Sequence, residues 1–190
     1  MPLIRLNNQS ISSVTALPSG IDTGKVLQIQ STFVDTASLI TITGSTNGNR
    51  VLNAITPMTV NITPSSTSSK IFLMCRMMYE LSASLHGNLM FLFKRDTTEI
   101  AIPTSGTYGT NRRYGAMTNL ISYNETDHYS TPEGTIFHHV DSPSTISQVT
   151  YSVHAMSGGH TLYLNRTVNN ADDINYEVGT SEITAMEIAG

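Results

Sequence analysis

Apolar and polar residues alternate with a period of two through most of this chain, the pattern of strands with one buried face. Lys25–Val34 sets Leu27, Ile29, Ser31 and Phe33 on one side and Val26, Gln28, Gln30 and Thr32 on the other. Ser147–His154 sets Val149, Tyr151 and Val153 against Thr150, Ser152 and His154. Further strands are predicted over Ala37–Thr43, Arg50–Ile55, Met58–Thr63, Glu99–Ile102, Leu120–Tyr123, Thr135–Val140 and His160–Asn165, with Pro57 dividing the second and third of these. Asn47-Gly48 reads as a turn, and Asp96-Thr97-Thr98 and Ser157-Gly158-Gly159 as the turns of two hairpins. No long stretch keeps helical spacing without Gly, Pro or a cluster of β-branched residues, so the expected class is all-β.

Three segments break the alternation by being apolar on both sides. In Ser69–Glu80 one face carries Ile71, Leu73, Cys75, Met77 and Tyr79, and the other carries Phe72, Met74, Arg76, Met78 and Glu80. Asn88–Lys94 and Ser181–Ala189 share this character. One side of such a strand fills a core; the other must meet a second layer or another subunit. The predicted architecture is therefore a two-sheet antiparallel sandwich with Ser69–Glu80 at its centre. Residues 25–190 form the domain, and Phe72, Met74, Met78, Ile183, Met186 and Ile188 are the candidate subunit-interface residues.

Residues 1–24 have no sustained period, only Leu3, Ile4, Leu6, Ile11, Val14 and Leu17 scattered among Ser, Asn and Thr. Two readings fit: a frayed terminus, or an extended arm whose spaced apolar side chains find pockets on another protein. Met1–Ser10 is polar and lacks the apolar centre of a signal peptide, so none is expected. No apolar run reaches membrane-spanning length, and no membrane partner is expected.

Composition narrows the functional classes. With 190 residues the chain can build one good core. Charged residues make up only 13%, and the net charge of −4 gives no general attraction to phosphate, so no nucleic-acid partner is expected. The single cysteine, Cys75, lies mid-strand and reads as a small core residue. The sequons at Asn8, Asn61, Asn124 and Asn165 occur about as often as this Asn, Ser and Thr content produces by chance.

The candidate chemistry is sparse. His138 and His139 are adjacent on a strand and point to opposite faces, so they cannot share one metal; His139 and Asp141 lack an indicated third ligand. The oxygen-rich loop Asn169–Glu177 could attract calcium, but its spacing matches no EF-hand and suits ordinary Asx turns. Neither a nucleophile elbow nor a phosphate-cradling loop is present, and Asp172-Asp173 is the one close acidic pair in a plausible site. The chain is read as non-enzymatic, without metal or cofactor. Tyr108, Arg112, Arg113 and Tyr114, with Tyr123, His128 and Tyr129, are candidate ligand-facing loop residues. Tyrosine offers a ring for stacking on sugars and a hydroxyl for their oxygens.

Several stretches, taken in order, resemble small virion proteins of tailed bacteriophages, especially those of marine and freshwater bacteria. They are Gly24-Lys25-Val26-Leu27-Gln28, Ser69-Lys70-Ile71-Phe72-Leu73-Met74, the segment Phe91–Ile100, Thr161–Arg166 and the ending Ser181–Gly190. The resemblance implies a jelly-roll sandwich that forms homotrimers, placed on the virion surface after synthesis in the host cytoplasm. Its implied partners are copies of itself and other capsid or tail proteins. The first functional expectation is a head decoration or head-fibre protein held by its N-terminal arm. The alternatives are a tail-fibre or receptor-binding tip recognising a host surface glycan or protein, and a free lectin or polysaccharide-acting enzyme. A fibre tip usually follows a long shaft; the short segment before Gly24 favours a compact knob.

Overall fold

A computed structural model describes residues 24–46, 49–82, 88–103, 112–118, 130 and 132–190. The described residues hold eleven strands and no helix. They are β1 (Val26–Val34), β2 (Ser38–Ile42), β3 (Asn53–Ile62), β4 (Lys70–Leu81), β5 (Met90–Arg95) and β6 (Thr98–Ile100). The remainder are β7 (Met117–Thr118), β8 (Glu133–Asp141), β9 (Val149–Met156), β10 (His160–Leu164) and β11 (Ser181–Ile188).

The strands form two antiparallel sheets, one of six strands and one of five. In the first, β4 is central. β11 pairs with Lys70–Arg76 and β10 with Tyr79–Leu81 along one edge, while β8 pairs with Ile71–Tyr79 along the other. β1 and β2 lie outside β11 and β10, so the sheet reads β1/β2, β11/β10, β4, β8. The second reads β3, β9, β5, then β6 and β7 end to end. Taken in chain order as eight columns, the first pairs with the last, the second with the seventh, the third with the sixth and the fourth with the fifth. The chain is in effect one long hairpin, rolled so that successive pairs fall in alternate sheets.

The core lies between the sheets. β4 contributes Ile71, Leu73, Cys75, Met77 and Tyr79, and β9 contributes Val149, Tyr151 and Val153, the faces that alternation assigned inward. Phe137 of β8 stacks on Phe91 at 6.0 Å and meets Phe93 at 4.7 Å, joining the sheets through aromatic contact. Arg95 of β5 donates to Asp141 of β8 at 2.8 Å, and the Tyr151 hydroxyl donates to the same carboxylate at 2.7 Å.

Three expectations meet a different outcome. Pro57 does not end a strand: β3 runs through it, with the register against β9 shifting between Ala54 and Thr59. β3 is an edge strand, where a missing amide donor and a bulge are tolerated. Ser157-Gly158-Gly159 does not close a hairpin, because β9 and β10 belong to different sheets and the turn carries the chain between them. Gly44 packs against it so closely that a Cβ there would stand 2.8 Å from the Gly158 carbonyl oxygen. The second apolar side of β5 needs no partner subunit, since Leu92 lies outside the core cluster yet is fully covered by the chain itself. β7 was not foreseen, being two residues long.

The Asp96-Thr97 turn does close the β5–β6 hairpin, with Arg95 opposite Thr98. Asp96 adopts φ 51°, which Asp tolerates, and its Oδ1 accepts from the Thr150 amide at 3.0 Å. Thr46 and Asn49 exchange two backbone hydrogen bonds of 3.0 Å around the Asn47-Gly48 position; those two residues lie outside the described ones, as does Leu120–Tyr123.

Candidate interaction face

The outward side of the six-stranded sheet is rich in apolar residues, with polar ones between them. Residues that sit opposite one another across four strands form rows: Ile29, Met186, Phe72 and Val140; then Ser31, Thr184, Met74 and His138; then Phe33, Glu182, Arg76 and Ile136. Exposure is 55% at Ile29, 57% at Phe33, 41% at Met74, 63% at Ile136 and 47% at Val140. Neighbouring strands lie ~4.8 Å apart and each residue advances ~3.3 Å, so this face measures roughly 20 Å by 27 Å. Scattered exposed hydrophobics need no explanation, but a contiguous patch of this kind marks a contact surface.

β1 produces much of the patch by facing the unexpected way. Its more apolar side, Leu27, Ile29 and Phe33, points to solvent, while Gln28 and Thr32 stand opposite the buried side chains of β11. The polar side is held by specific acceptors. Gln28 Nε2 donates to Glu187 at 2.6 Å and to the Thr63 carbonyl at 2.7 Å, and Thr32 Oγ1 donates to the Thr59 carbonyl at 2.6 Å. These bonds link β1 to the opposite sheet and leave its apolar side outward.

Of the interface residues expected from sequence, Phe72, Met74, Met78, Met186 and Ile188 lie on this face, half-buried or exposed. Ile183 does not: it points inward and is fully buried in the core, because it alternates with Glu182 and Thr184. Ile29, Phe33, Ile136 and Val140 were missed. Their signal was present in β1, whose better apolar face was legible but not assigned to the outside.

The face carries few charges, all on its two central strands. Arg76 pairs with Glu182 at 3.7 Å and donates to the Thr180 carbonyl at 2.9 Å; Lys70 stands at the end of β4. His138 stacks on Phe72 with ring centroids 5.8 Å apart. His139 turns to the other side of β8, where burial lowers its pKa, Asp141 raises it and His138 lowers it. Asp141 is occupied by Arg95 and Tyr151, and among the described residues no group of three His, Cys, Asp or Glu side chains comes together as a metal site. Beside Gly134, which has no side chain, a hollow of about 370 Å³ opens over β4 and β8 between Arg76, Met78, Gly134, Ile136 and Thr180.

The candidate ligand-facing loops are described only in part. Tyr108, Tyr123, His128 and Tyr129 lie outside the described residues, as do Leu3, Ile4, Leu6, Ile11, Val14 and Leu17. Arg113 and Tyr114 are engaged by the chain itself. Arg113 Nη2 donates to the Ser45 carbonyl at 2.8 Å, and the Arg50 guanidinium lies 3.8 Å from the Tyr114 ring centroid while pairing with Glu99 at 2.6 Å. Arg112 is exposed and, with Arg113, Asn88, Met90 and Thr118, borders a hollow of about 310 Å³.

In the Asn169–Glu177 loop the oxygens serve turns. Asn169 Oδ1 accepts from the Ala171 amide at 3.1 Å, and Asp173 Oδ1 accepts from both nitrogens of Asn175, at 3.0 Å from the amide and 2.6 Å from the side chain. The buried Glu80 carboxylate anchors the loop's start by accepting from the Val168 amide at 2.5 Å. Asn165 is buried and holds three segments together. Its Nδ2 donates to Val34 and Thr36 carbonyls at 2.8 and 3.2 Å, and its Oδ1 accepts from Ser181 Oγ at 2.6 Å.

Fold and face together define an all-β, two-sheet protein with an apolar-rich outer sheet surface that no other described residues cover. No protein-family model matches the chain, and no curated protein sequence matches it either.

Proposed function

We propose that this chain is a non-enzymatic structural protein of a tailed-phage virion: a homotrimeric jelly roll displayed on the particle surface, where it decorates or stabilises the head. The observation that carries the reading is the apolar outer face of the six-stranded sheet, which a monomer would leave wet. The jelly-roll assignment is supported by the nested pairing of the eight columns, the order that two interlocked Greek keys produce. Residues 1–24 serve as the arm that docks to the capsid, and the work of the molecule is burial of matching surface, without bond chemistry.

Sedimentation of the full chain tests the assembly: a mass of three chains supports the reading, and a single-chain mass at high concentration sinks it. Deleting Met1–Gly24 should leave that trimer intact and abolish its attachment to particles lacking the protein. Attachment of the shortened chain would assign docking elsewhere.

A second reading, a receptor-binding tip, is favoured by the hollow beside Arg112. It predicts specific retention of the purified protein on host cells or a surface glycan, weakened by Arg112→Ala. Arg113 is a poorer probe because it also ties its loop to Ser45.

A further inference from the structure

Most arginines of the described residues are occupied. Arg50, Arg76 and Arg95 each pair with a carboxylate, and Arg166 donates to two backbone carbonyls and lies over the Tyr163 ring. Arg112 and Arg113 differ: neither pairs with a carboxylate among the described residues, and both border the hollow of about 310 Å³. Arg112 is exposed and makes no hydrogen bond or ion pair among the described residues. Arg113 spends one N–H on the Ser45 carbonyl at 2.8 Å, which fixes its position, while its Nε is shut off from water with no acceptor among the described residues. Glu99 does not supply the missing charge, because Arg50 already takes it at 2.6 Å and donates in turn to the Tyr114 carbonyl at 3.4 Å.

Two neighbouring cations without a counter-charge repel one another, and in a chain of net charge −4 such a pair stands out. The hollow beside them therefore favours an anion. A guanidinium presents its N–H groups as a planar fork that fits the two oxygens of a carboxylate or a phosphate. The rest of the wall suits a sugar that carries such a group. The Asn88 amide has no hydrogen bond among the described residues and offers both a donor and an acceptor. The Thr118 hydroxyl donates to the Leu89 carbonyl at 2.6 Å and can still accept, and half-buried Met90 adds an apolar side. The volume lies at the small end of the ~300–1,000 Å³ usual for ligand pockets, room for one ring and not for a chain.

Resting on the receptor-tip reading above, we propose that this hollow takes one acidic sugar of a surface polysaccharide. Arg112 and Arg113 hold its acid group, a carboxylate or a phosphate, and Asn88 and Thr118 meet the neighbouring hydroxyls.

Titrating the full chain with glucuronate, glucose 6-phosphate, glucose and inorganic phosphate, followed by nuclear magnetic resonance, tests this. At least one of the two sugar acids should bind, and glucose should bind at least tenfold more weakly. Which acid binds names the source, carboxylate or phosphate. Binding should weaken as salt rises and the screening length falls from ~8 Å at 0.15 M to ~3 Å at 1 M. Arg112→Ala removes no contact made within the described chain, so its circular dichroism should be unchanged while binding of the acid falls about tenfold or more. Glucose binding as tightly as the acids, or an unchanged affinity in Arg112→Ala, overturns the proposal. Inorganic phosphate binding as tightly as the sugar acids reduces the hollow to an ion site and overturns the sugar assignment. Failure of both acids to bind, while the unaltered protein is still retained on host cells, removes this site and leaves the receptor-tip reading standing. Failure of both acids together with no retention on host cells removes both.

Discussion

At the end of β11 the Glu187 carboxylate is shut off from solvent and accepts from the Ser65 amide at 2.7 Å and from Ser65 Oγ, Ser69 Oγ and Gln28 Nε2, each at 2.6 Å. Burial alone raises its pKa, but these bonds outweigh it and bring the group from 4.5 down to about 2. His154 is lowered as well: burial first, then Lys94, take it from 6.5 to about 4 against the pull of Glu99. The unfolded chain binds more protons than the native one wherever a pKa is depressed, so both groups make stability fall on acidification. His154 acts between about 6.5 and 4; the Glu187 contribution is full above 4.5 and goes as pH drops through about 2. Thermal melting followed against pH should show the first decline flattened in His154→Gln and the second in Glu187→Gln. An unchanged profile in either variant removes that residue's assignment. Glu187→Ala, which strands several donors, should cost about 1–3 kcal/mol in urea unfolding. Burial also drives the Cys75 thiol far above its ordinary pKa, with Arg76 opposing weakly. The native protein should then stay unlabelled by a thiol reagent for hours and react once unfolded; rapid native labelling would mean that β4 is accessible. The burial of Cys75 was read from sequence, but the Glu187 environment was not, because Ser65, Ser69 and Gln28 reach it from positions more than a hundred residues away.

Strands were legible to the degree that their side chains obeyed a single rule. β9 alternates cleanly and was assigned correctly, because one of its sides meets the core and the other does not. β1 also alternates, yet its polar side turns inward, since the hydrogen bonds waiting at Glu187, Thr63 and Thr59 satisfy it there. β4 and β5 were both recognised as apolar on two sides. Their fates differ: Phe72 stays half-buried and Met74 partly exposed, while Leu92 is covered within the chain. The links between strands were harder still. Two glycines after a strand suit a hairpin equally well as a crossing between sheets, and the choice here turns on Gly44 closing against Gly158. Gly44→Ala should force those backbones apart and cost about 1–3 kcal/mol as an overpacked contact, measured by chemical denaturation. A neutral substitution would show that the corner has room.

For the molecule as a whole, one cluster ties sheet to sheet: Arg95 from β5 and Tyr151 from β9 converge on Asp141 at the end of β8. Asp141→Ala leaves a guanidinium and a buried hydroxyl without their acceptor, and unfolding should become easier by about 2–4 kcal/mol. Asp141→Asn, which keeps the shape and one acceptor, should lose less, and equal losses would mean that charge rather than shape holds the cluster. Residues of this kind are invisible in a linear reading, since Arg95 and Asp141 are joined only when the two sheets face each other. The linear order did determine the all-β class, the position of most strands and the inward face of β4, because side-chain alternation and the lack of helical spacing are local properties of neighbouring residues. Which sheet each strand joins, which side of β1 is wet, and where Leu92 ends up were decided by tertiary structure alone. Burial is a relation between distant segments, and it is fixed only once the second sheet has closed over the first.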